Sequence, residues 1–475
     1  MHSHHSTTSS RLVVAVLACL TLLTLLLPLV GAEQSSAASG ALRASHSRLL
    51  ARAGFERSIA GWKAVNANTK LTRVRGGNGG SRHAAAITAP ASGAATVGVT
   101  DRPDLVTSTR RGQVYAARVW LKPGKDALRR GTVVGRIGAV ENSSNGRRAQ
   151  AWRRVRLQNS HWHSVTVFLT ARGDGHRLDV SIRAFDVPAG KSVRVDNVTI
   201  RKVSRPHVPS SQLHGTRFGA SVDDVSGDWT KALHKSDRRY GRMDTVRVFD
   251  PGLPSGWSGR LGDTKRPLVY SFDARPSAVL AGIYDHAIRQ WFRAAPKRWP
   301  IWWSYIHEPE DNIARGEFTA SRYRAAWRHV YQLSQAAHNH QLHPTLILMC
   351  WTLSPNSGRT FSDYYPGDFI KVLSWDCYNS ASVATSYKAP SAIFGRAVAK
   401  TRALGKGFGV AEFGSRLVPG DDGSRRAMWL ADVARYTAKH HARFVTYWDA
   451  NIPAGSFKLR DLPSSRSWRS VVSAR

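Results

Sequence analysis

From residue 215 onward the chain alternates between short apolar runs and longer helix-like stretches, and this alternation constrains the fold more than any other feature. Eight runs read as strands: RFGASV, DTVRVFDP, PLVYSFDA, PIWWSYIHEPE, PTLILMCW, FIKVLSWDCYN, FGVAEFG and RFVTYWD. Between them lie stretches such as SAVLAGIYDHAIRQWFRAA, SRYRAAWRHVYQLSQAAHNH, PSAIFGRAVAKTRAL and SRRAMWLADVARYTAKHH. Eight such alternations within residues 215–475 fit a (β/α)8 TIM barrel, an α/β architecture whose chemistry sits at the carboxyl ends of the strands. The competing doubly wound open sheet calls for a Gly-rich phosphate turn after an early strand, and the sequence has none.

Residues 51–203 have a different texture. Alternating runs such as AATVGVT, VYAARVWLKP, SVTVFLT, LDVSIRAF and SVRVDNVTI are broken by Gly, Asn and Pro, with no long helical stretch. Period-two alternation at this spacing predicts an all-β sandwich. The chain is therefore expected to be multidomain, a sandwich followed by a barrel. Residues 204–214 (SRPHVPSSQLH) read as a Pro- and Ser-containing linker, and residues 33–50, rich in Ser and Ala, as a tether.

The first 32 residues have the layout of a secretory signal: a polar start with Arg11, an apolar run, and small residues at Gly31 and Ala32. Secretion is the expectation, and an uncleaved anchor is the alternative because the run is long enough to span a bilayer. Cys19 lies within this run, which leaves Cys350 and Cys377, whose spacing is not that of metal ligands. They either pair outside the cell or stay as buried thiols. Hydrophobic content of 42% and charged content of 21% exclude a disordered chain. The net charge of +37 favours polyanions, such as acidic envelope polymers, or else reflects a solvated basic surface. Nucleic acid is not expected, since no helix-turn-helix, zinc-finger or ribonucleoprotein motif is present.

On the fourth barrel strand Glu308 falls at the carboxyl end, and Glu412 takes the corresponding place on the seventh. In a closed barrel strand tops converge on one cleft, so these two acids are candidates to face one another. Two carboxylates across a sugar are what glycoside cleavage needs. One must be neutral to protonate the leaving oxygen, and the other ionised to meet the oxocarbenium-like carbon. Glu310 and Asp311 read as exposed loop acids, and Trp302 and Trp303 as barrel packing.

The motifs HE at 307–308, SPN at 354–356, YYPGDFIKVLSWDCYN at 364–379 and VAEFG at 410–414 resemble the retaining (β/α)8 glycoside hydrolases of clan A, most closely family 26. The resemblance implies Glu308 as acid/base, Glu412 as nucleophile, His307 as a sugar contact, Tyr378 as the residue orienting Glu412, and Trp448 as an aromatic floor. Arg247 and Asp250, on the second strand, and Trp351, after the fifth, are further candidate sugar or carboxylate contacts. The chain departs from the family after the HE pair, where PEDNIARGEF stands in place of the usual Asn and Trp, which puts a mannan preference in doubt. The sandwich in turn resembles jelly-roll carbohydrate-binding modules through Gly54, Phe55, Glu56 and Trp62 at one end and Asp196, Asn197 and Val198 at the other. That likeness implies Glu56 and Asp196 as candidate ligands of a structural calcium. Trp120, Trp152 and Trp162 either fill the sandwich core or form a sugar platform.

Together these readings predict a secreted, monomeric retaining β-glycosidase acting on internal bonds of a mannan-type polysaccharide or β-glucan, with no cofactor required for catalysis. The alternative is a non-catalytic glycan- or wall-binding protein that works through its basic surface.

Overall fold

The computed structural model describes residues 47–128, 132–222, 224, 227–379, 385–452 and 455–474. The signal-like segment and most of the tether lie outside them. Eleven strands form the first part: β1 (Ser47–Ala53), β2 (Trp62–Ala64), β3 (Lys70–Arg75), β4 (His83–Thr88), β5 (Ala95–Asp101), β6 (Val114–Pro123), β7 (Val133–Ser143), β8 (Gly146–Leu157), β9 (His163–Thr170), β10 (Arg177–Val187) and β11 (Ser192–Val203). They make two antiparallel sheets, one in the order β3-β4-β11-β6-β9 with β1 also on β11, the other β2-β5-β10-β7-β8. Period-two patterning does what it promises. In β10, Leu178, Val180, Ile182 and Ala184 are buried between the sheets while Asp179, Ser181 and Arg183 face outward.

Three readings are corrected or narrowed here. Residues 47–50, read as the end of the tether, are the first half of β1, because their backbone pairs with Leu49–Arg201 and Ser47–Val203 in register on β11. None of Trp120, Trp152 and Trp162 belongs to the sandwich core; the buried indole is that of Trp62, edge-on to Phe55 at 5.7 Å. Nor does the 204–214 segment hang free. Val208 and Leu213 are buried with the barrel's core, since a linker carrying apolar side chains lowers its free energy by docking them.

The second part is a closed parallel barrel of β12 (Arg217–Ser221), β13 (Thr245–Asp250), β14 (Leu268–Phe272), β15 (Ile301–Tyr305), β16 (Leu342–Met349), β17 (Val372–Tyr378), β18 (Gly407–Gly414) and β19 (Phe444–Tyr447). All eight strands expected from the sequence are present, with helices outside. Inside, Val269, Trp302, Ile347, Val372, Ala411 and Phe444 pack as one apolar plug, Trp302 and Phe444 with ring centroids 4.7 Å apart. Gly409 makes room for it: a Cβ there would stand 2.6 Å from the Phe444 ring. Outside, Trp303 stacks at 5.0 Å on Trp327 of the helix Ala320–Gln335. A disulfide joins Cys350, just after β16, to Cys377 on β17, with Cα atoms 5.1 Å apart.

The two parts touch along the β8–β9 edge. Trp152 N donates to Gly420 O at 2.8 Å, Thr170 N to the Asp422 carboxylate at 2.8 Å, and Met428 packs on Val114, Ala116, Phe168 and Val203.

Burial separates the tryptophans by role. In urea unfolding, Trp303→Ala is expected to lose about 3–5 kcal/mol, the range for emptying a packed aromatic site. Trp120→Ala, on an outer sheet face with the Arg118 guanidinium over its ring, is expected to lose less than about 1 kcal/mol. Equal losses would contradict this division.

Candidate active site

On a regular strand, side chains alternate between the barrel interior and the helix side. Val410 and Phe413 of β18 belong to the outer core, whereas Ala411 belongs to the interior plug. Strict alternation would then turn Glu412 outward. A bulge prevents this. Against β17, Trp375 pairs with Val410 but Asp376 pairs with Glu412, so one extra residue is accommodated at Ala411, and Ala411 and Glu412 both face inward. There the Glu412 carboxylate meets Arg247 Nη2 at 3.2 Å and accepts a 2.6 Å hydrogen bond from the Tyr378 hydroxyl.

The end of β15 breaks alternation in another way. Ile306 has φ +48° and packs in the outer core, and Glu308 again has φ +48°. A left-handed β-branched residue is a true outlier, of the kind that clusters where geometry serves a site. The first twist sends Ile306 outward and brings His307 inward; after the second, Glu308 begins the short helix Pro309–Ala314 while its amide stays bonded to Ile347 O at 3.1 Å.

Arg247 organises what lies between. Its side chain is buried inside the ring, and its Nη1 donates to Ser271 Oγ at 2.9 Å. Ser271 Oγ lies 3.0 Å from His307 Nδ1. A guanidinium can only donate, so the serine accepts from it, and the remaining proton and lone pair of Oγ can serve His307 Nδ1 in either tautomer of the ring. Burial, with the Arg247 charge adding to it, pushes His307 down to about 3, so the ring is neutral.

The carboxylates differ in surroundings. Glu308 is pushed well above the usual carboxylate range by burial and then by the charges of Glu412, Glu310 and Asp311. Burial pushes Glu412 up as well, but Arg247 and the Tyr378 hydroxyl oppose it by stabilising the anion. Both groups are raised, and it is Glu412 that has a guanidinium and a hydroxyl in contact to favour its charged form.

Of the other candidates, Tyr378 is brought to Glu412, its ring stacked on Phe457 at 5.2 Å. Trp448 stands half-buried with its ring 6.1 Å from Phe249. Trp351 is 53% exposed in the turn after β16. Asp250 is not brought to the cleft. It faces the helix side, accepting from Tyr270 at 2.5 Å and from Ser255 N and Oγ at 2.8 Å, and pairing with Arg260. Glu310 is also corrected: far from being an exposed loop acid, it is buried, accepts from Met349 N at 2.9 Å and Thr352 at 2.6 Å, and is pushed up by burial to about 7. Asp311 pairs with Arg359.

Three interior residues escaped the sequence reading. Phe249 lies 5.4 Å from the His307 ring. Ser271 links Arg247 to His307. Asp376 is buried beside Glu412 with neither carboxylate oxygen hydrogen-bonded among the described residues, and it is pushed well up by burial and by the charges of Glu412 and Glu308. Its signal was available: Asp376 and Tyr378, two apart on β17, share a face.

In the sandwich, Glu56 and Asp196 both border the turn around residues 78–83. Glu56 accepts from Ser81 and from Arg82 N at 2.9 Å; Asp196 accepts from Asn78 N at 2.7 Å and Asn197 N at 2.6 Å. The nearby carbonyls of Phe55 and Glu56 accept from the Arg73 guanidinium. Among the described residues no group of three or more His, Cys, Asp or Glu side chains is placed to hold a metal ion.

No protein-family model matches the chain. No curated protein matches it either. Solved structures do. The CBM22-1–GH10 modules of the Clostridium thermocellum endo-1,4-β-D-xylanase 10B are 11% identical, with 90% of this chain and 98% of that one covered and a TM-score of 0.37. The CBM22-1 xylan-binding domain from Paenibacillus barcinonensis Xyn10C is 15% identical over 33% of this chain and 96% of that one, with a TM-score of 0.27. An arabinose-bound α-L-arabinofuranosidase, MgGH51, is 11% identical over 89% and 77%, with a TM-score of 0.29. Nothing about activity follows from likeness at this level.

The neutral imidazole gives a direct check. In an NMR titration the His307 ring resonances are expected to stay flat between pH 8 and 5, because the ring gains its proton only near pH 3. A sigmoidal shift centred within that window would contradict the relay through Ser271.

Proposed function

We propose that the barrel is a glycoside hydrolase that cleaves a β-linked polysaccharide by double displacement, with Glu412 as nucleophile and Glu308 as acid/base. One observation carries the reading: two carboxylates, Glu308 just after β15 and Glu412 on β18, stand in unlike surroundings. Glu412 is gripped by a guanidinium and a phenol that favour its anion, and Glu308 is pushed well up by burial and then by its acidic neighbours. In this scheme Glu412 attacks the anomeric carbon while Glu308 protonates the leaving oxygen, and Glu308 then takes a proton from the water that releases the sugar. The neutral His307 ring pairs with a sugar hydroxyl, and Trp448, Phe249 and Trp351 offer apolar faces to sugar rings. The route uses side chains alone. Family 26, with internal cleavage of a mannan-type chain or β-glucan, remains the finer proposal, supported by the HE and VAEFG motifs.

Secretion as a monomer is part of the same proposal. The Cys350–Cys377 disulfide fits an oxidising compartment, and no helix among the described residues is long and apolar enough to cross a membrane. Calcium at Glu56 and Asp196 is a proposal with its own test, since the carboxylates already have protein donors. If calcium binds there, millimolar CaCl2 raises the Tm of the sandwich and Glu56→Gln removes the rise; an unchanged Tm removes calcium from the account.

On soluble mannans, glucans and xylans, Glu412→Gln is expected to release no reducing ends while folding normally. For the wild type, kcat/KM should fall at low pH as Glu412 gains its proton and at high pH as Glu308 loses its own. Glu308→Gln should slow hydrolysis by about 10²–10⁴-fold and lose the alkaline limb. A wild-type chain that binds these glycans and cleaves none would instead mark a non-catalytic binding protein.

A further inference from the structure

The outer face of the five-stranded sheet carries an arrangement that folding does not call for. The register of β10, β7 and β8 sets Arg183 opposite Arg136, and Arg136 opposite Arg154. Like charges directly across from each other destabilise a sheet, and this row holds three in succession, each a strand spacing of about 4.8 Å from the next. Arg136 Nε and Arg183 Nε are buried with no hydrogen-bond partner among the described residues. The charges acting on Arg136 are those of Arg183 and Arg154, with no carboxylate among them.

Two rings bracket the row. The Arg136 guanidinium lies 5.9 Å from the Trp152 ring and 5.1 Å from Phe185; that of Arg154 lies 5.2 and 5.0 Å from the same rings. The guanidiniums are thereby held on the sheet face by cation–π attraction while their hydrogen-bonding edges stay unspent. The row alongside is Ser181, Gly138 and Trp152, two small residues ending at an indole. Gly98 stands opposite Arg183 at the end of the arginine row, and a Cβ there would stand 2.9 Å from Arg183 Cγ, so the glycine makes room for that side chain. At the other side the Trp152 backbone is bonded to Gly420 in the loop after β18, the strand of Glu412, and a Cβ on Gly420 would stand 2.4 Å from the indole, so that loop packs against the ring.

We propose that this face binds an acidic polysaccharide, with uronate carboxylates on the arginine row. A planar carboxylate matches the guanidinium fork with two parallel hydrogen bonds. Three forks in line match a repeating charge rather than a single anion. Binding here goes beyond the hydrolase reading and does not depend on it.

The test uses the full chain, carrying Glu412→Gln so that binding is read without turnover, in affinity electrophoresis at 150 mM salt. Polygalacturonate is expected to retard it strongly and neutral β-mannan far less. Adding Arg136→Gln is expected to weaken polygalacturonate binding at least tenfold while Tm holds or rises, because a like-charge contact is relieved. Arg136→Lys, which keeps the charge and loses the fork, should fall between. The proposal is overturned if polygalacturonate does not bind, if Arg136→Gln binds it equally or loses binding together with a fall in Tm, or if dextran sulfate or single-stranded DNA binds more tightly than polygalacturonate.

Discussion

A guanidinium buried inside a barrel has to find its counter-charge there, and Arg247 determines most of what the cleft can do. Removing either partner from such a contact leaves an uncompensated charge out of reach of water. Arg247 touches Glu412 and, through its other terminal nitrogen, Ser271. One contact stabilises the anion of a buried carboxylate. The other reaches the His307 ring by way of a hydroxyl. A single cation thus separates the roles of two glutamates and orients the imidazole beside them, with no further charged donor.

The acids around it create the complementary state. Glu308, Glu310, Asp376 and Glu412 are gathered in or beside one low-dielectric interior, where a full set of negative charges could not coexist. Protonation relieves the conflict, and the groups raised furthest are those without a cation or amide donor at hand. Glu310 has two donors and is raised only to about 7, whereas Asp376 has none and is raised well beyond its ordinary value. Burial is the first cause that raises Glu308, and the crowding of acids around it adds to that rise.

How much of this was legible in the sequence follows from which rule governed each residue. The eight barrel strands were readable because parallel strands buried on both faces appear as continuous apolar runs. Glu308 and Glu412 were readable as strand-end acids, although the devices that aim them inward, the bulge at Ala411 and the left-handed Ile306, leave no mark in composition. Asp250 was misplaced where parity could have corrected it: Arg247 and Asp250 are three apart on a regular strand and cannot share a face, whereas Phe249 does face inward. Glu310 was misread because its burial depends on Met349 and Thr352, an element away. In the sandwich, Trp120 and Trp152 stand at outward positions of their strands, which period-two counting from Leu121 or Ala151 recovers, and Trp162 lies in the loop before β9. The arginine row was invisible for a further reason, since cross-strand register is a property of pairing and not of any one segment.

The central claim is that Glu412 becomes covalently attached to the sugar. It is tested most directly by incubating the protein with 2-deoxy-2-fluoro-β-glycosyl fluorides of mannose, glucose and xylose, digesting it and locating the adduct by mass spectrometry. The expected result is a single ester on the peptide carrying Glu412, formed with at least one of the sugars. An adduct on Asp376, or none at all from a preparation that hydrolyses polysaccharide, would contradict the account.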